Sequence, residues 1–164
     1  MSSYSKLICP GLRVGYMVLP DGYSTRVAKV AEDTYINPSY LNQALVYQFI
    51  QKGWIDSQLV YLKDLYRQRR DAMLAALSRE MNDVAEWNEP HGGFFIACYV
   101  KGHVDADALM QKALENGIRL SDGRGFHLSG GEAFIRLPFC ALNEKQIVTG
   151  ISRLAETIRL LIKE

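Results

Sequence analysis

A long helical pattern of apolar residues, from about Ile55 to Met81, is the feature that most limits the folds open to this chain. Its apolar side chains recur at intervals of three, four or seven residues, namely Leu59, Leu62, Tyr66, Met73, Leu77 and Met81. At about 1.5 Å per residue, such a helix spans roughly 40 Å, which is longer than a compact domain of half this chain needs. We therefore expect a helix that connects two domains.

Two shorter helices are predicted before it. Tyr23 to Tyr35 carries apolar residues on one face, and Ser39 is a suitable N-cap for a second helix that runs to about Lys52. Asn37-Pro38 separates the two patterns, and Gly53 ends the second.

After the long helix the pattern changes from helical to strand-like. The run Phe94–Val100 is apolar throughout, which predicts a central strand. Ala133–Phe139 predicts another strand, and Pro138 places it at a sheet edge or marks its end. The other predicted strands are Ala85 to Glu89 and the short Ile118-Arg119-Leu120.

Two further helices and a glycine-rich loop complete the second half. Asp105 caps a helix that Asn116-Gly117 closes, and Ser121 to Gly131 forms a mobile loop. Asn143 and Gln146 form a capping box at the start of the last helix, whose apolar stripe is Ile147, Ile151, Leu154, Ile158 and Ile162.

Composition indicates an ordinary globular protein. With 48% hydrophobic and 23% charged residues, the chain has enough apolar mass for one good core. Its formal net charge is +1, so no strong field attracts nucleic acid or a membrane surface, and we expect neither as a partner. The only basic cluster, Arg67, Arg69 and Arg70, is interpreted as a solvated helix face.

The three cysteines predict neither a metal site nor a disulfide. Cys9, Cys98 and Cys140 lie far apart in apolar runs, which is typical of buried cysteines in a reducing compartment. We recognise no signal peptide and no spanning segment, and therefore expect a cytoplasmic protein.

The first sixteen residues, M-S-S-Y-S-K-L-I-C-P-G-L-R-V-G-Y, carry a candidate site. Ser3, Ser5 and Arg13 offer the hydroxyls and the guanidinium that suit a phosphate group. Lys6 lies among them with mostly apolar neighbours, which predicts a partly desolvated, nucleophilic amine. A Pro-Gly turn then allows residues 12–18 to run as a buried strand that carries Arg13 back toward Lys6.

This combination has two interpretations. A nucleophilic amine beside a phosphate site describes a site for pyridoxal phosphate, whose aldehyde reacts with a lysine. The alternative is a solvated lysine and an arginine that is exposed or ion-paired, as such residues commonly are.

Arg136 is the second candidate, because it lies in an otherwise apolar strand, F-I-R-L-P-F. A buried guanidinium requires an anionic partner. That partner is either a protein carboxylate, Glu132 or Glu144, or the carboxylate of a substrate held by two parallel hydrogen bonds.

Three of these segments resemble one family. The opening stretch is similar to the S-F-S-K and P-G-L-R-x-G-Y signature of class I/II, fold-type I, pyridoxal-phosphate-dependent aminotransferases. Pro90-His91-Gly92-Gly93-Phe94-Phe95 resembles that family's P-x-G-G-F-F segment, and F-I-R-L-P-F resembles its late arginine segment. The resemblance implies that Lys6 is catalytic and binds the cofactor covalently. It also implies that Arg13, Ser3 and Ser5 bind the cofactor phosphate, and that Arg136 binds the substrate carboxylate.

The resemblance also implies a fold, which is α/β. Residues 1–54 are expected to be the C-terminal remnant of the pyridoxal-phosphate-binding large domain, a strand with helices. Residues 55–82 are expected to be the long interdomain helix, and residues 83–164 the small C-terminal α+β domain. In the P-x-G-G-F-F segment, Phe94 and Phe95 are interpreted as core residues. The Asp122-Gly123-Arg124-Gly125-Phe126 loop is not assigned to the site.

The implied activity is transfer of an amino group between an amino acid and a 2-oxo acid, by a homodimer. Because the resemblance covers less than half of the family's length, we expect a fragment that is inactive alone. Its first half is then expected to expose strand edges and apolar helix faces. The alternatives are an aminotransferase-like effector domain of a transcription regulator, and a scaffold fragment without catalysis.

Overall fold

The computed structural model describes residues 1–35 and 39–162. Within them the chain forms an α/β structure with five α-helices and two small antiparallel sheets. It divides into two compact units, Met1–Lys63 and Asp64–Glu164. None of the described helices is both long and apolar enough to cross a membrane.

The first unit contains a short hairpin followed by helices. Strands β1 (Ser2–Ser3) and β2 (Gly15–Tyr16) pair antiparallel, and a 3-10 helix (Pro10–Leu12) lies between them. The helices are α1 (Ser24–Tyr35), α2 (Tyr40–Gln51) and the start of α3 (Trp54–Glu80).

All three predicted helices are confirmed. The Ser39 side chain accepts a hydrogen bond from the Asn42 N–H and so caps α2, as its residue type predicts. Gly53, between α2 and α3, has a φ of 67°, a left-handed conformation that glycine adopts without strain. The predicted break at Asn37-Pro38 lies outside the described residues.

The buried strand predicted over residues 12–18 is wrong. Only Gly15 and Tyr16 are in a strand, and both are exposed. Arg13 has a φ of 52°, which no strand residue adopts, because it ends the 3-10 helix in a left-handed conformation. Within the described residues β1 is the only strand that pairs with β2, so no sheet covers this segment.

The predicted exposure of apolar groups in the first half is confirmed. The exposed large apolar residues there include Met17, Val18, Tyr23, Val30, Tyr40, Leu41, Leu45, Tyr47, Ile50, Trp54, Val60 and Tyr61. This amount of exposed apolar surface is typical of a surface that another polypeptide covers.

The second unit is an α+β layer around one antiparallel sheet. Its strands are β3 (Ala85–Trp87), β4 (Phe95–Val100) and β5 (Phe134–Pro138), in the order β3-β4-β5. Strand β4 is therefore central, and β5 ends at Pro138 on the sheet edge, both as predicted. Helices α4 (Ala106–Glu115) and α5 (Glu144–Ile162) complete the unit with the end of α3.

Local capping signals set the ends of these helices. The Asp105 side chain accepts hydrogen bonds from two N–H groups of the first turn of α4. The Asn143 and Gln146 side chains each accept a hydrogen bond from the backbone N–H of the other, which is the predicted capping box.

One apolar core holds the second unit together. It brings the buried face of the sheet against α3 and α5, and it includes Met73, Leu77, Met81, Ile96, Cys98, Ile135, Leu137, Phe139, Ile147, Ile151, Leu154 and Ile158. Four residues of the predicted α5 stripe are thus buried, but the fifth, Ile162, is 45% exposed because it lies in the last turn.

Three further expectations about this half need correction. Ile118-Arg119-Leu120 is not a strand, since no strand among the described residues pairs with it. The loop after it contains a second 3-10 helix, Gly123–Phe126. The basic cluster on α3 is only partly solvated, because Arg69 donates to the Cys140 carbonyl at 2.8 Å.

The cysteines also differ from expectation in one case. Cys98 is buried in the core, and this burial raises the pKa of its thiol to about 12. Cys140 is half-buried, whereas Cys9 is exposed because it lies in the hairpin loop rather than before a buried strand.

An ion pair joins the turn after α3 to α5 and makes the free energy of unfolding depend on pH in the acid range. The Arg159 guanidinium donates two hydrogen bonds of 2.8 Å to the Asp83 carboxylate. Hydrogen bonding from Arg159 lowers the pKa of Asp83 from 3.8 to about 2. A carboxylate with a lowered pKa stabilises the fold above its unfolded pKa and loses that effect as the pH falls through its folded pKa.

We therefore expect the free energy of unfolding to fall between about pH 4 and pH 2 more steeply in the wild type than in Asp83→Asn. Urea unfolding at a series of pH values measures this difference. The effect is small, because the pair is exposed to solvent. Parallel pH profiles for the two proteins would show that the pair does not contribute.

Candidate functional site

The opening hairpin holds four of the five predicted site residues. Ser3 pairs with Gly15, and the Tyr4 N–H donates to the Val14 carbonyl at 3.0 Å, so residues 4–14 form a closed loop. A Cβ on Gly15 would lie 2.9 Å from the Ser2 carbonyl oxygen. Glycine at this position therefore allows the two strands to approach each other.

The two serines are held at the base of this loop. The Ser5 N–H donates to the Ser3 hydroxyl at 3.1 Å, and that hydroxyl donates to the Val14 carbonyl at 3.4 Å. Ser5 is one of two buried polar residues in the described chain, and within that part its hydroxyl has no hydrogen-bond partner. The Ser5 hydroxyl is therefore available to a ligand.

Lys6 lies in the turn that follows. The Tyr4 carbonyl accepts hydrogen bonds from the Leu7 and Ile8 N–H groups, at 3.2 and 2.8 Å, and this turn presents Lys6 to solvent. The prediction that its apolar neighbours desolvate Lys6 is wrong, because Lys6 is exposed in this turn. Over residues 1–35 and 39–162, its amine has neither a hydrogen bond nor an ion pair.

Arg13 is positioned by the end of the 3-10 helix. Its φ of 52° is the only positive value among the non-glycine residues described. The Asn42 side chain of α2 donates to the Leu12 carbonyl at 3.0 Å and so fixes the turn just before Arg13. The Arg13 guanidinium is exposed and makes only one long hydrogen bond, of 3.5 Å, to the Pro10 carbonyl. Most of its N–H donors are therefore free.

Arg136 belongs to the second unit and lies on β5. It is half-buried rather than buried, and no described carboxylate forms an ion pair with it, so the predicted partnership with Glu132 or Glu144 is wrong. Its guanidinium instead contacts two aromatic rings. Its Cζ is 4.3 Å from the ring centre of Phe95 and 4.1 Å from that of Phe126.

Sequence reasoning missed these two phenylalanines. The apolar run around Phe95 predicts core, and nothing in the sequence assigns the loop that carries Phe126 to the site. The available signal is an arginine in an aromatic-rich strand, since guanidinium groups commonly stack on rings. The identity of the stacking rings depends on strand register and loop position, which the sequence alone does not give.

The donor set of the hairpin fits pyridoxal phosphate. The cofactor has an aldehyde that reacts with an amine and a phosphate that accepts charge-assisted hydrogen bonds. Lys6 offers an unpaired amine, and Arg13 and Ser5 offer unpaired donors in the same loop. Among the described residues, no group of three or more His, Cys, Asp or Glu side chains is placed to hold a metal ion.

Comparison with known proteins identifies relatives over nearly the whole chain. Aromatic-amino-acid aminotransferase 1 from Thermococcus litoralis is 27% identical over 100% of this chain and 40% of its own length. The HTH-type transcriptional regulator YdfD from Bacillus subtilis is 29% identical over 100% of this chain and 33% of its own length. The chain therefore spans well under half the length of these relatives.

A solved structure supports the same relationship. The alpha-aminoadipate aminotransferase LysN from Thermus thermophilus, crystallised with N-(5'-phosphopyridoxyl)-L-leucine, has a TM-score of 0.91. It is 29% identical over 98% of this chain and 41% of the LysN chain. The family model for aminotransferase class I and II matches residues 1–154. Because that match covers most of the sequence, the chain belongs to the aminotransferase class I and II family.

Proposed function

We propose that this chain provides the lysine-bearing part of a pyridoxal-phosphate-dependent aminotransferase, which transfers an amino group between an amino acid and a 2-oxo acid. The observation that carries the proposal is the opening hairpin. It presents the unpaired amine of Lys6 in the same loop as the free donors of Arg13 and Ser5.

Lys6 has two roles in this proposal. Its amine first holds the cofactor covalently through the cofactor aldehyde. When bound, pyridoxal phosphate supplies an electron sink for the electron pair left at the substrate Cα. The Lys6 amine would act as the general base that removes the proton from that Cα.

Arg13, Ser3 and Ser5 bind the cofactor phosphate. The planar guanidinium of Arg13 presents N–H donors that match phosphate geometry. The Ser5 hydroxyl is unpaired, and the Ser3 hydroxyl has only a long bond of 3.4 Å to exchange for a phosphate oxygen. Their binding anchors the cofactor, so that the Lys6 amine stays within reach of its aldehyde.

Arg136 binds the α-carboxylate of the substrate. A guanidinium presents parallel N–H donors to a carboxylate, and such paired contacts fix direction as well as position. The absence of an ion pair at Arg136 within the described residues supports this role, because its donors are not used by a protein carboxylate.

The proposed domain arrangement follows the family resemblance. Residues 1–54 belong to the cofactor-binding large domain, residues 55–82 form the interdomain helix, and residues 83–164 form the small domain. The exposed apolar residues of the first unit support its burial against further polypeptide, including a second copy in a homodimer. A cytoplasmic location remains a prediction.

Chemical trapping tests the proposal directly. The 164-residue chain is incubated with pyridoxal phosphate, reduced with borohydride, and examined by intact-mass and peptide mass spectrometry. We expect one adduct, on Lys6, and its loss in Lys6→Ala. Lys52→Ala is the matched control, because Lys52 is also an exposed lysine without an ion pair in the described chain, and it should retain the adduct.

Two other labelling patterns would contradict the proposal. Adducts spread over several lysines, or an adduct that survives Lys6→Ala, would remove Lys6 from the cofactor site. A selective Lys6 adduct makes amino-acid assays the next step, with the released 2-oxo acid as the readout.

The relationship to the YdfD regulator does not favour a different function for this chain. It covers the same 164 residues that match the aminotransferases. A shared domain of this kind is equally compatible with an effector role. The unpaired lysine beside phosphate donors is explained most directly by the chemistry of a transaminase.

A further inference from the structure

The guanidinium of Arg136 is in contact with two aromatic rings. The Phe95 and Phe126 ring centres lie 4.3 and 4.1 Å from its Cζ, within the distance at which cation–π attraction operates. Within the described residues the Arg136 side chain makes no hydrogen bond and no ion pair. The cation therefore contacts two rings, while its N–H groups are not used by the described part of the protein.

Strand register places Phe95 beside Arg136. Ala97 of β4 lies directly opposite Arg136 of β5, and Phe95 is two residues before Ala97, so both face the same side of the sheet. Diagonal neighbours of this kind are close enough for aromatic and long side chains to touch. The small Ala97 side chain leaves room for the arginine to lie against Phe95.

The second ring comes from a loop that is fastened to the same strand. Phe126 ends the second 3-10 helix and packs edge-to-face on Phe134, with ring centres 5.9 Å apart. Phe134 lies two residues before Arg136, on the same side of β5. A Cβ on Gly123 would lie 2.2 Å from the Phe134 carbonyl oxygen, so the loop lies tightly against the strand there.

Ion pairs hold the other side of this loop. The Arg124 guanidinium donates to Asp122 at 2.8 Å and to Asp107 of α4 at 2.6 Å. The Asp122 side chain also accepts the Arg124 N–H at 3.0 Å. The loop is therefore anchored to both β5 and α4, which fixes the position of Phe126.

We infer that Phe95 and Phe126 form an aromatic clamp, which holds the Arg136 guanidinium flat with its N–H edge open to a carboxylate, and that both are positioning residues for the substrate. This inference rests on the proposed function of Arg136. A guanidinium without hydrogen bonds to the protein would ordinarily rotate among many conformations. Contact with two rings restricts that rotation before the ligand arrives, which lowers the entropic cost of binding.

Arginine side-chain NMR of the labelled 164-residue chain tests the clamp. The Nε–Hε signal of Arg136 is assigned by its loss in Arg136→Lys. Because ring currents shield protons above ring faces, we expect this signal upfield of that of Arg119, an exposed arginine without a ring contact in the described chain. Phe95→Leu and Phe126→Leu should each move it downfield, and Phe126→Tyr, which keeps a ring, should restore it.

Phe94→Leu is the matched control. The Phe94 ring packs edge-to-face on Tyr66, with centres 5.7 Å apart, and on Phe95, with centres 6.5 Å apart, but it is not one of the two rings that contact Arg136. This substitution should leave the Arg136 signal unchanged. Phe126 is 45% exposed, so Phe126→Leu is expected to fold and to carry the test even if Phe95→Leu does not.

Titration with 2-oxoglutarate then measures whether the clamp positions the arginine. We expect the Arg136 signal to respond in the wild type, and the affinity to fall about threefold in each leucine variant and about tenfold in the double variant. Phe126→Tyr should bind as the wild type does.

The possible results of these experiments test the clamp and the proposed function of Arg136 separately. A wild-type Arg136 signal without an upfield shift would overturn the clamp, whatever the titration shows. A shifted signal that does not respond to 2-oxoglutarate would overturn the carboxylate-binding role of Arg136 and the positioning inference with it. Unchanged affinity in both leucine variants, with the shift lost, would overturn the positioning role alone.

Discussion

Replacing Arg136 with alanine is expected to lower kcat/KM for the amino acid about 100-fold in the active holoenzyme, mainly through a higher KM. Hydrogen bonds to a charged group contribute about 1.5–3 kcal/mol, and a loss of about 3 kcal/mol corresponds to a change of about 100-fold in kcat/KM. The absorbance of the bound cofactor should not change, because the proposed cofactor contacts lie in the opening hairpin and not on β5. Steady-state kinetics and absorbance spectra measure the two effects separately.

Two variants make the result specific. Arg119→Ala removes an exposed arginine that, like Arg136, has no ion pair in the described residues, and it should leave KM unchanged. Arg136→Lys keeps the charge but not the planar fork, and should recover only part of the loss. Loss of the cofactor absorbance in Arg136→Ala would assign the arginine to cofactor binding instead, and an unchanged KM would exclude it from the substrate site.

Leu77→Ala is expected to lower the free energy of unfolding by about 3 to 5 kcal/mol. Truncation of a fully buried leucine removes its apolar burial and leaves a cavity that neighbours fill only partly. Leu77 lies on α3, is 0% exposed, and belongs to the core that joins this helix to the sheet and α5. Urea or thermal unfolding of the second unit measures the loss.

Leu114→Ala is the control for this prediction. It makes the same substitution on α4, where the side chain is 64% exposed, so the change should stay within about 0.5 kcal/mol. Similar losses in the two variants would show that burial in the core around Leu77 does not determine the effect.

The sequence predicted the helices and the central strand correctly because their signals are local. Ser39, Asp105 and the Asn143–Gln146 pair cap the helices they were expected to cap, through hydrogen bonds within a few residues. The apolar run of β4 identified the central strand, which pairs with β3 on one side and with β5 on the other.

The sequence did not show which strand-like segments lack a pairing partner. Residues 12–18 and Ile118–Leu120 both have strand-like composition, yet only Gly15 and Tyr16 of these pair with another strand. A strand forms when another backbone supplies its hydrogen bonds, and the sequence of a segment does not state whether that partner is present.

The same difference between local and long-range information applies to the candidate site. The resemblance of three sequence motifs indicated the family, which the family model confirms, and it implied functional roles for Lys6, Arg13, Ser3, Ser5 and Arg136, which stay predictions. Tertiary structure decided that Lys6 is exposed, that Arg13 ends a 3-10 helix at a φ of 52°, and that Arg136 contacts Phe95 and Phe126. The physical reason is that the residues of a motif are close together in sequence, so the chemical groups that it offers can be identified from the sequence alone. The surroundings of a side chain depend on strand register and loop anchoring, which join residues far apart in the chain.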